Sequence, residues 1–299
     1  MTSSDWKNTG WYIEARGSRH LLSVIGSIGG YSSEARIAWR GQPSSDYDLV
    51  SSLQRSPGIK SEVEMREREH LLLDSARKWG LGFGPTGWAS DLQLLADLQH
   101  YGTATRLLDV TSNPMTALWF ACQQVHLGST ANDGLLLALN TAGWKRYGRS
   151  HPSGSPTALE NPLSWELEAA LNEAEPFVVE SLTPNDRLRA QEGFFVAGRI
   201  PQNFSKPDPF KSFRIDYEPT TYENLTRRLT ARFGEFDERD RLPFVAIIIP
   251  AKLKQRVLLR LANTYNRRPE ILFPDFFGFR DHGSYAKPRQ PLEGSSSIY

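Results

Sequence analysis

The 299-residue chain of 33.8 kDa can bury one large core or two small ones, and eight Trp, ten Tyr and fifteen Phe offset a hydrophobic share of only 39%. Lys and Arg number 35 against 34 Asp and Glu, a net charge of +1 with no block of one sign, which disfavours nucleic acid or acidic lipid as a partner held by bulk charge. The single cysteine, Cys122, excludes an intrachain disulfide and reads as a small buried hydrophobe in a reducing compartment.

Residues 1–19 are polar with scattered aromatics and are expected to form an N-terminal arm. They hold no apolar run fit for a signal peptide, and no window approaches the ~20 apolar residues of a membrane span, so a soluble cytoplasmic protein without a membrane partner is expected. His20 to Ile28 spaces Leu21, Leu22, Ile25 and Ile28 at helical intervals until Gly29-Gly30 break the pattern. Ala35 to Gln42 alternates as a strand with Arg40 and Gly41 near its end. An arginine there can hold an anion bidentately or simply lie on the surface, and the glycine admits a close backbone or ligand.

Ser61 to Trp79 predicts a charged helix whose Glu64 and Glu67 read as ion-pairing groups on a solvated face. The glycine-rich loop 80–87 lacks the Lys-Ser/Thr of a phosphate loop. Ser90-Asp91 cap a helix that buries Leu92, Leu95 and Leu98 and stops at Gly102. Thr105 to Val110 reads as a short inner strand, and Ser112-Asn113-Pro114 start a helix that turns Met115, Leu118, Trp119 and Cys122 towards a sheet.

Asp133 to Asn140 predicts a buried strand, 141–163 a long exposed loop with His151 at the surface, Ser164 to Asn172 a helix and Phe177 to Ser181 a strand. Asp186 to Gly198 begins polar and ends as a strand, which puts Gln191 and Glu192 at its mouth. Pro201 to Tyr217 is loop-like, Glu223 to Arg241 a solvated helix, Phe244 to Ile249 an interior strand and Lys252 to Tyr265 a helix. Leu272 to Asp275 leads into an aromatic loop, and 283–299 form a disordered tail. No repeat or linker divides 20–282, and strands and helices follow without βαβ alternation, so the fold class is a single α+β domain.

The six histidines lie apart, so no metal is expected, and no Gly-x-Ser-x-Gly elbow precedes a helix. Polar groups instead gather at strand mouths: Arg40, His100, Tyr101, Thr105, Arg106, Asp109, Thr111, Gln191 and Glu192. If those strands are neighbours, they offer guanidiniums for an anion, hydroxyls for a ribose and one or two carboxylates, a set suited to a phosphorylated nucleotide. The bland alternative is that Arg106 and Asp109 pair to join strand and helix.

Trp39-Arg40-Gly41-Gln42, Leu98-Gln99-His100-Tyr101-Gly102, Thr105-Arg106-Leu107-Leu108-Asp109 and Ala117-Leu118-Trp119-Phe120-Ala121 resemble the ordered motifs of the FRG domain family. Ala190 to Phe195 and Leu272 to Asp275 resemble its later blocks, with Trp39 where Phe or Tyr is usual and Glu192 where a second Gln is expected. A weaker resemblance is to arginine-type ADP-ribosyltransferases: Arg40-Gly41 on a first strand, Asp109-Val110-Thr111 in the place of Ser-Thr-Ser, Ala117 to Phe120 on the helix, and Gln191 or Glu192 last.

That resemblance implies a central mixed β-sheet, continuous or split, flanked by helices in an ADP-ribosyltransferase-like fold. It implies NAD as candidate substrate, with Arg40 on the pyrophosphate, Thr111 ordering the nicotinamide side and Glu192 on the ribose, or Gln191 if the register shifts. Gly41, Gln42, His100, Tyr101, Thr105, Arg106 and Asp109 complete the implied ligand set. The activity implied is ADP-ribosyl transfer to a protein or nucleic-acid acceptor, or NAD hydrolysis, of a bacterial toxin or phage-defence type. A non-catalytic nucleotide- or partner-binding sensor and a nucleic-acid-acting enzyme stand as alternatives.

Overall fold

The computed structural model describes residues 5–84, 87–125, 132–148, 164–173, 175–181, 184–202, 208–230 and 242–283. Its strands, in chain order, are β1 (Tyr12–Glu14), β2 (Ile37–Gln42), β3 (Phe83–Gly84), β4 (Gly87–Trp88), β5 (Leu108–Thr111), β6 (Gly134–Asn140), β7 (Lys145–Tyr147), β8 (Phe177–Val179), β9 (Gly193–Ala197) and β10 (Phe244–Ile249). Eight of them form one mixed sheet in the order β1-β10-β6-β2-β5-β9-β8-β7, and β3 and β4 make a separate small hairpin within the glycine-rich loop. The pairs β1·β10 and β8·β7 are parallel and the other five antiparallel.

Composition explains the order. Phe-Val-Ala-Ile-Ile-Ile in β10 is buried at every residue, as is Gly-Leu-Leu-Leu-Ala-Leu in β6. Strands apolar on both faces need cover on both sides, and these two sit inside the sheet. The outermost strands, β1 and β7, are three residues long and partly exposed, which limits the unpaired edge they present. The described part of the expected arm is built into the domain: β1 lies beside β10, and Trp6 and Trp11 join the main core.

Helices Ser18–Gly29 and Ala251–Tyr265 supply buried leucines, isoleucines and valines to the core around β10, β6 and β2. A second cluster lies between β8, β9 and helices Glu62–Lys78, Asp91–His100 and Ser164–Asn172. The predicted Ser90 cap is formed, accepting from Gln93 N, and Ser61 accepts from Glu64 N in a full capping box. The result is one α+β domain around a central mixed sheet.

Further expectations change, and β7 lies within the segment expected to be a long exposed loop. The segment after Asp275 is helix Phe276–His282 rather than a loop, because Asp275 caps it by accepting from Gly278 N at 2.6 Å. The inner strand begins at Leu108, since Thr105 Oγ1 accepts from Leu107 N and holds that segment in a turn. His151, the end of the 223–241 helix and the tail beyond Gly283 lie outside the described residues. Among the described residues no helix is long and apolar enough to cross a membrane.

Helix Pro114–Ala121 lies unusually close to the sheet, and two glycines permit it. A Cβ on Gly41 would fall 1.9 Å from the Ala117 carbonyl oxygen, and one on Gly134 2.1 Å from that of Ala121. Asn113 caps this helix by accepting from Met115 N and Thr116 N at 2.9 and 3.4 Å. Cys122 closes it, buried, its thiol pushed up to about 12 by burial.

Candidate functional site

Strands β2 and β5 touch through a single residue pair, Trp39 opposite Thr111. A continued antiparallel ladder would pair Arg40 with Val110 and Gly41 with Asp109. The strands part instead, and a cavity of about 370 Å³ opens beside them. Arg40 reaches it from β2, Asp109 from β5, Gln99 and His100 from the end of one helix, and Thr116 and Phe120 from another. Helix Asp186–Ala190 adds Arg187, and Gln191 follows at its C-cap.

The parting leaves polar groups without partners. Arg40 Nη1 donates to the Asp109 carbonyl at 2.6 Å, but Arg40 Nε is buried with no hydrogen bond, and the guanidinium has no ion pair among the described residues. Burial lowers its pKa from the ordinary arginine value against the pull of Asp109. Thr116 Oγ1, on a fully buried residue, is likewise without a partner. Buried donors without partners cost roughly 1–3 kcal/mol each, more when charged.

A second guanidinium, Arg187, lines the same cavity with its carbon 4.4 Å from the centre of the Phe273 ring and no ion pair among the described residues. His100 sits nearby; burial and then Arg187 lower its pKa, opposed by Asp275 and Asp109. Among the described residues the cavity's carboxylate is that of Asp109, exposed on β5, where Oδ2 accepts from Gln99 Nε2 at 3.0 Å. Gln99 is oriented in turn by Thr105 Oγ1, which donates to its Oε1 at 2.8 Å. Phe120, Trp39 and Phe195 supply apolar wall.

The cavity therefore brings together Arg40, Gly41, His100, Asp109, Thr111 and Gln191 of the residues expected from sequence. Two of these are already engaged. Thr111 Oγ1 donates to the Gln191 carbonyl at 2.6 Å and accepts from Asn113 N at 3.0 Å, and Gln191 Nε2 donates to the Leu272 carbonyl at 3.0 Å. Gly41 serves the close helix as well as the cavity wall.

The other expected residues lie elsewhere. Glu192 has a positive φ of 50°, which turns it away from Gln191 into a separate cavity, where Oε1 accepts from Asn113 Nδ2 at 2.8 Å and Arg267 Nη2 at 2.9 Å. Gln42 is buried and donates to the Asp48 carbonyl at 3.3 Å. Tyr101 is exposed with its ring 5.1 Å from that of His100, and Thr105 is buried in the turn it organises. Arg106 is 2% exposed: Nε donates to Glu69 Oε1 at 2.7 Å, and Nη1 donates at 3.1 Å to both Glu62 Oε1 and the Gly198 carbonyl. It pairs with those two carboxylates rather than with Asp109, and they raise its pKa despite its burial.

Thr116, Gln99, Phe120 and Arg187 enter the cavity without having been singled out from sequence. Helical spacing carried the first signal: Thr116, Ala117 and Phe120 share a face at i, i+1 and i+4. Arg187, four residues before Gln191, offered no comparable cue. Among the described residues no group of three or more His, Cys, Asp or Glu could hold a metal ion.

No curated protein and no solved structure matches the chain. The family model of the FRG domain matches residues 35–129, the segment that brings Arg40, Gln99, His100, Asp109, Thr116 and Phe120 to the cavity.

Proposed function

We propose that the cleft beside the Trp39–Thr111 bridge binds the phosphate groups of a nucleotide, with NAD as the candidate ligand. The observation that carries this reading is the buried, unpartnered Nε of Arg40. A guanidinium that lines a cleft and has no ion pair among the described residues is suited to contact with a phosphate or carboxylate. Arg187 supplies a second positive charge across the same cavity, and Thr116 Oγ1 a hydroxyl for the same ligand. Phe120, Trp39 and Phe195 offer apolar surface to a ring, and about 370 Å³ is the size of a pocket for a small ligand or part of a dinucleotide.

Cleavage of the nicotinamide glycosidic bond is the second reading, favoured by Asp109, the one carboxylate lining this cavity among the described residues. The role given to Glu192 would pass to Asp109, which could stabilise positive charge developing on the ribose. Incubation of the wild type and Asp109→Asn with NAD, followed by assay of free nicotinamide, separates the two readings. Release by the wild type that Asp109→Asn loses supports cleavage; binding without release in either leaves the protein a nucleotide-binding module.

A further inference from the structure

The Trp39–Thr111 bridge has a second open side. Towards the start of β2 another cavity, about 520 Å³, lies among Arg36, Ser112, Arg146, Glu180, Arg189 and Glu192. Among the described residues three guanidiniums thus meet two carboxylates, and each carboxylate is already held. Glu180 pairs with Arg146 at 2.7 Å, and Glu192 with Arg267 at 2.9 Å.

The remaining two arginines are surplus. Arg36 is fixed through its main chain, whose carbonyl accepts from Thr141 N at 2.8 Å and Thr141 Oγ1 at 2.9 Å, while its guanidinium makes no hydrogen bond or ion pair among the described residues. Arg189 approaches only Asp186, at 4.0 Å and with both side chains exposed, a pair worth little. Phe194 and Ile37 give the cavity an apolar wall.

One short helix serves both cavities. Helix Asp186–Ala190 carries Arg187 into the first and Arg189 into the second, with Leu188 lining both and seated over Gly193, where a Cβ would come within 2.7 Å of Leu188 Cδ1.

We propose that this second cavity is a separate binding site for a phosphate-bearing organic molecule, held by Arg36 and Arg189 with its apolar part against Phe194. Two guanidiniums without carboxylate partners suit a dianion better than a single carboxylate. The site shares no guanidinium with the first cavity, so it stands whether or not that cavity holds a nucleotide.

The test is calorimetric titration of the full chain with inorganic tripolyphosphate at low ionic strength. The wild type takes up two equivalents, and Arg36→Ser/Arg189→Ser takes up one, its remaining affinity unchanged. Arg40→Ser/Arg187→Ser also retains one, and losing Arg36 and Arg189 weakens the second site by at least roughly tenfold. Both substituted arginines of the second site are outside the core, and far-UV circular dichroism identical to that of the wild type verifies the fold. Equal uptake by the wild type and Arg36→Ser/Arg189→Ser, or none by Arg40→Ser/Arg187→Ser, overturns the proposal; a single equivalent in the wild type that Arg40→Ser/Arg187→Ser keeps and Arg36→Ser/Arg189→Ser loses upholds this site and removes the first.

Discussion

Arg40 Nη1 donates to the main-chain oxygen of Asp109, not to its carboxylate, at 2.6 Å across the gap where β2 and β5 have separated. The guanidinium thereby spans the split in the sheet while its Nε stays unpartnered in the cavity. A charge paired to a carboxylate would be neutralised; one tied to a carbonyl keeps its positive charge available to an incoming anion.

Arg40 and Thr116 should accordingly contribute to ligand binding without contributing to stability. Thr116→Val removes a buried hydroxyl that has no partner and keeps the side-chain shape, so it should raise unfolding stability by about 1 kcal/mol in urea titration while weakening nucleotide binding. Arg40→Met should leave stability within about 1 kcal/mol of wild type and abolish detectable binding. A large loss of stability in either variant would show that these groups are structural.

Arg106 should behave in the opposite way. Its removal leaves Glu69 and Glu62 buried without their cation. Arg106→Ala should cost about 3–5 kcal/mol in chemical denaturation, the scale for breaking a buried ion pair from one side.

The sequence made β6 and β10 plain, because long apolar runs bounded by polar residues or proline admit few alternatives. Arg40-Gly41 was legible as a pair, but the tight contact of Gly41 turned out to be with the Ala117 carbonyl. Arg106 was assigned to the ligand because its partners, Glu69 and Glu62, lie 37 and 44 residues away, beyond any local pattern. Gln191 and Glu192 could not be told apart because the positive φ of Glu192 breaks the alternation by which strand faces are read. Arg187 sits on a helix of five residues, too short to show a period.

Gly41→Ala should be poorly tolerated although its side chain is a single methyl. The added carbon meets backbone of helix Pro114–Ala121 at 1.9 Å, so the helix must shift from both β2 and β6. A loss of about 3 kcal/mol in thermal or urea unfolding is expected, with Gly134→Ala similar.

His100 gives the cleft a pH dependence. Its folded pKa lies below 6.5, lowered by burial and Arg187, so the unfolded chain binds the proton more readily. The stability of the ligand-free protein should therefore fall as pH drops below about 6.5 towards the folded value, and His100→Gln should remove that component. A bound anion raises the same pKa, so affinity should rise roughly three- to tenfold between pH 7.5 and 5.5 in calorimetry, and stay flat in His100→Gln.

Glu192 lines the second cavity and not the cleft. Because its carboxylate is engaged by Asn113 and Arg267 away from Arg40, Glu192→Gln should leave nucleotide binding in the first cavity within about twofold of wild type. Gln191→Ala should weaken it by freeing the cavity wall from Leu272. Loss of binding in Glu192→Gln alone would return that residue to the site.

Equilibrium titration of NAD and ADP-ribose into the wild type and the Arg40→Met/Arg187→Met variant tests the central claim most directly. The cleft account predicts saturable binding of both ligands to the wild type and loss of that binding in the folded double variant. Absence of saturable binding to the wild type, or binding undiminished when both guanidiniums are gone, would contradict it.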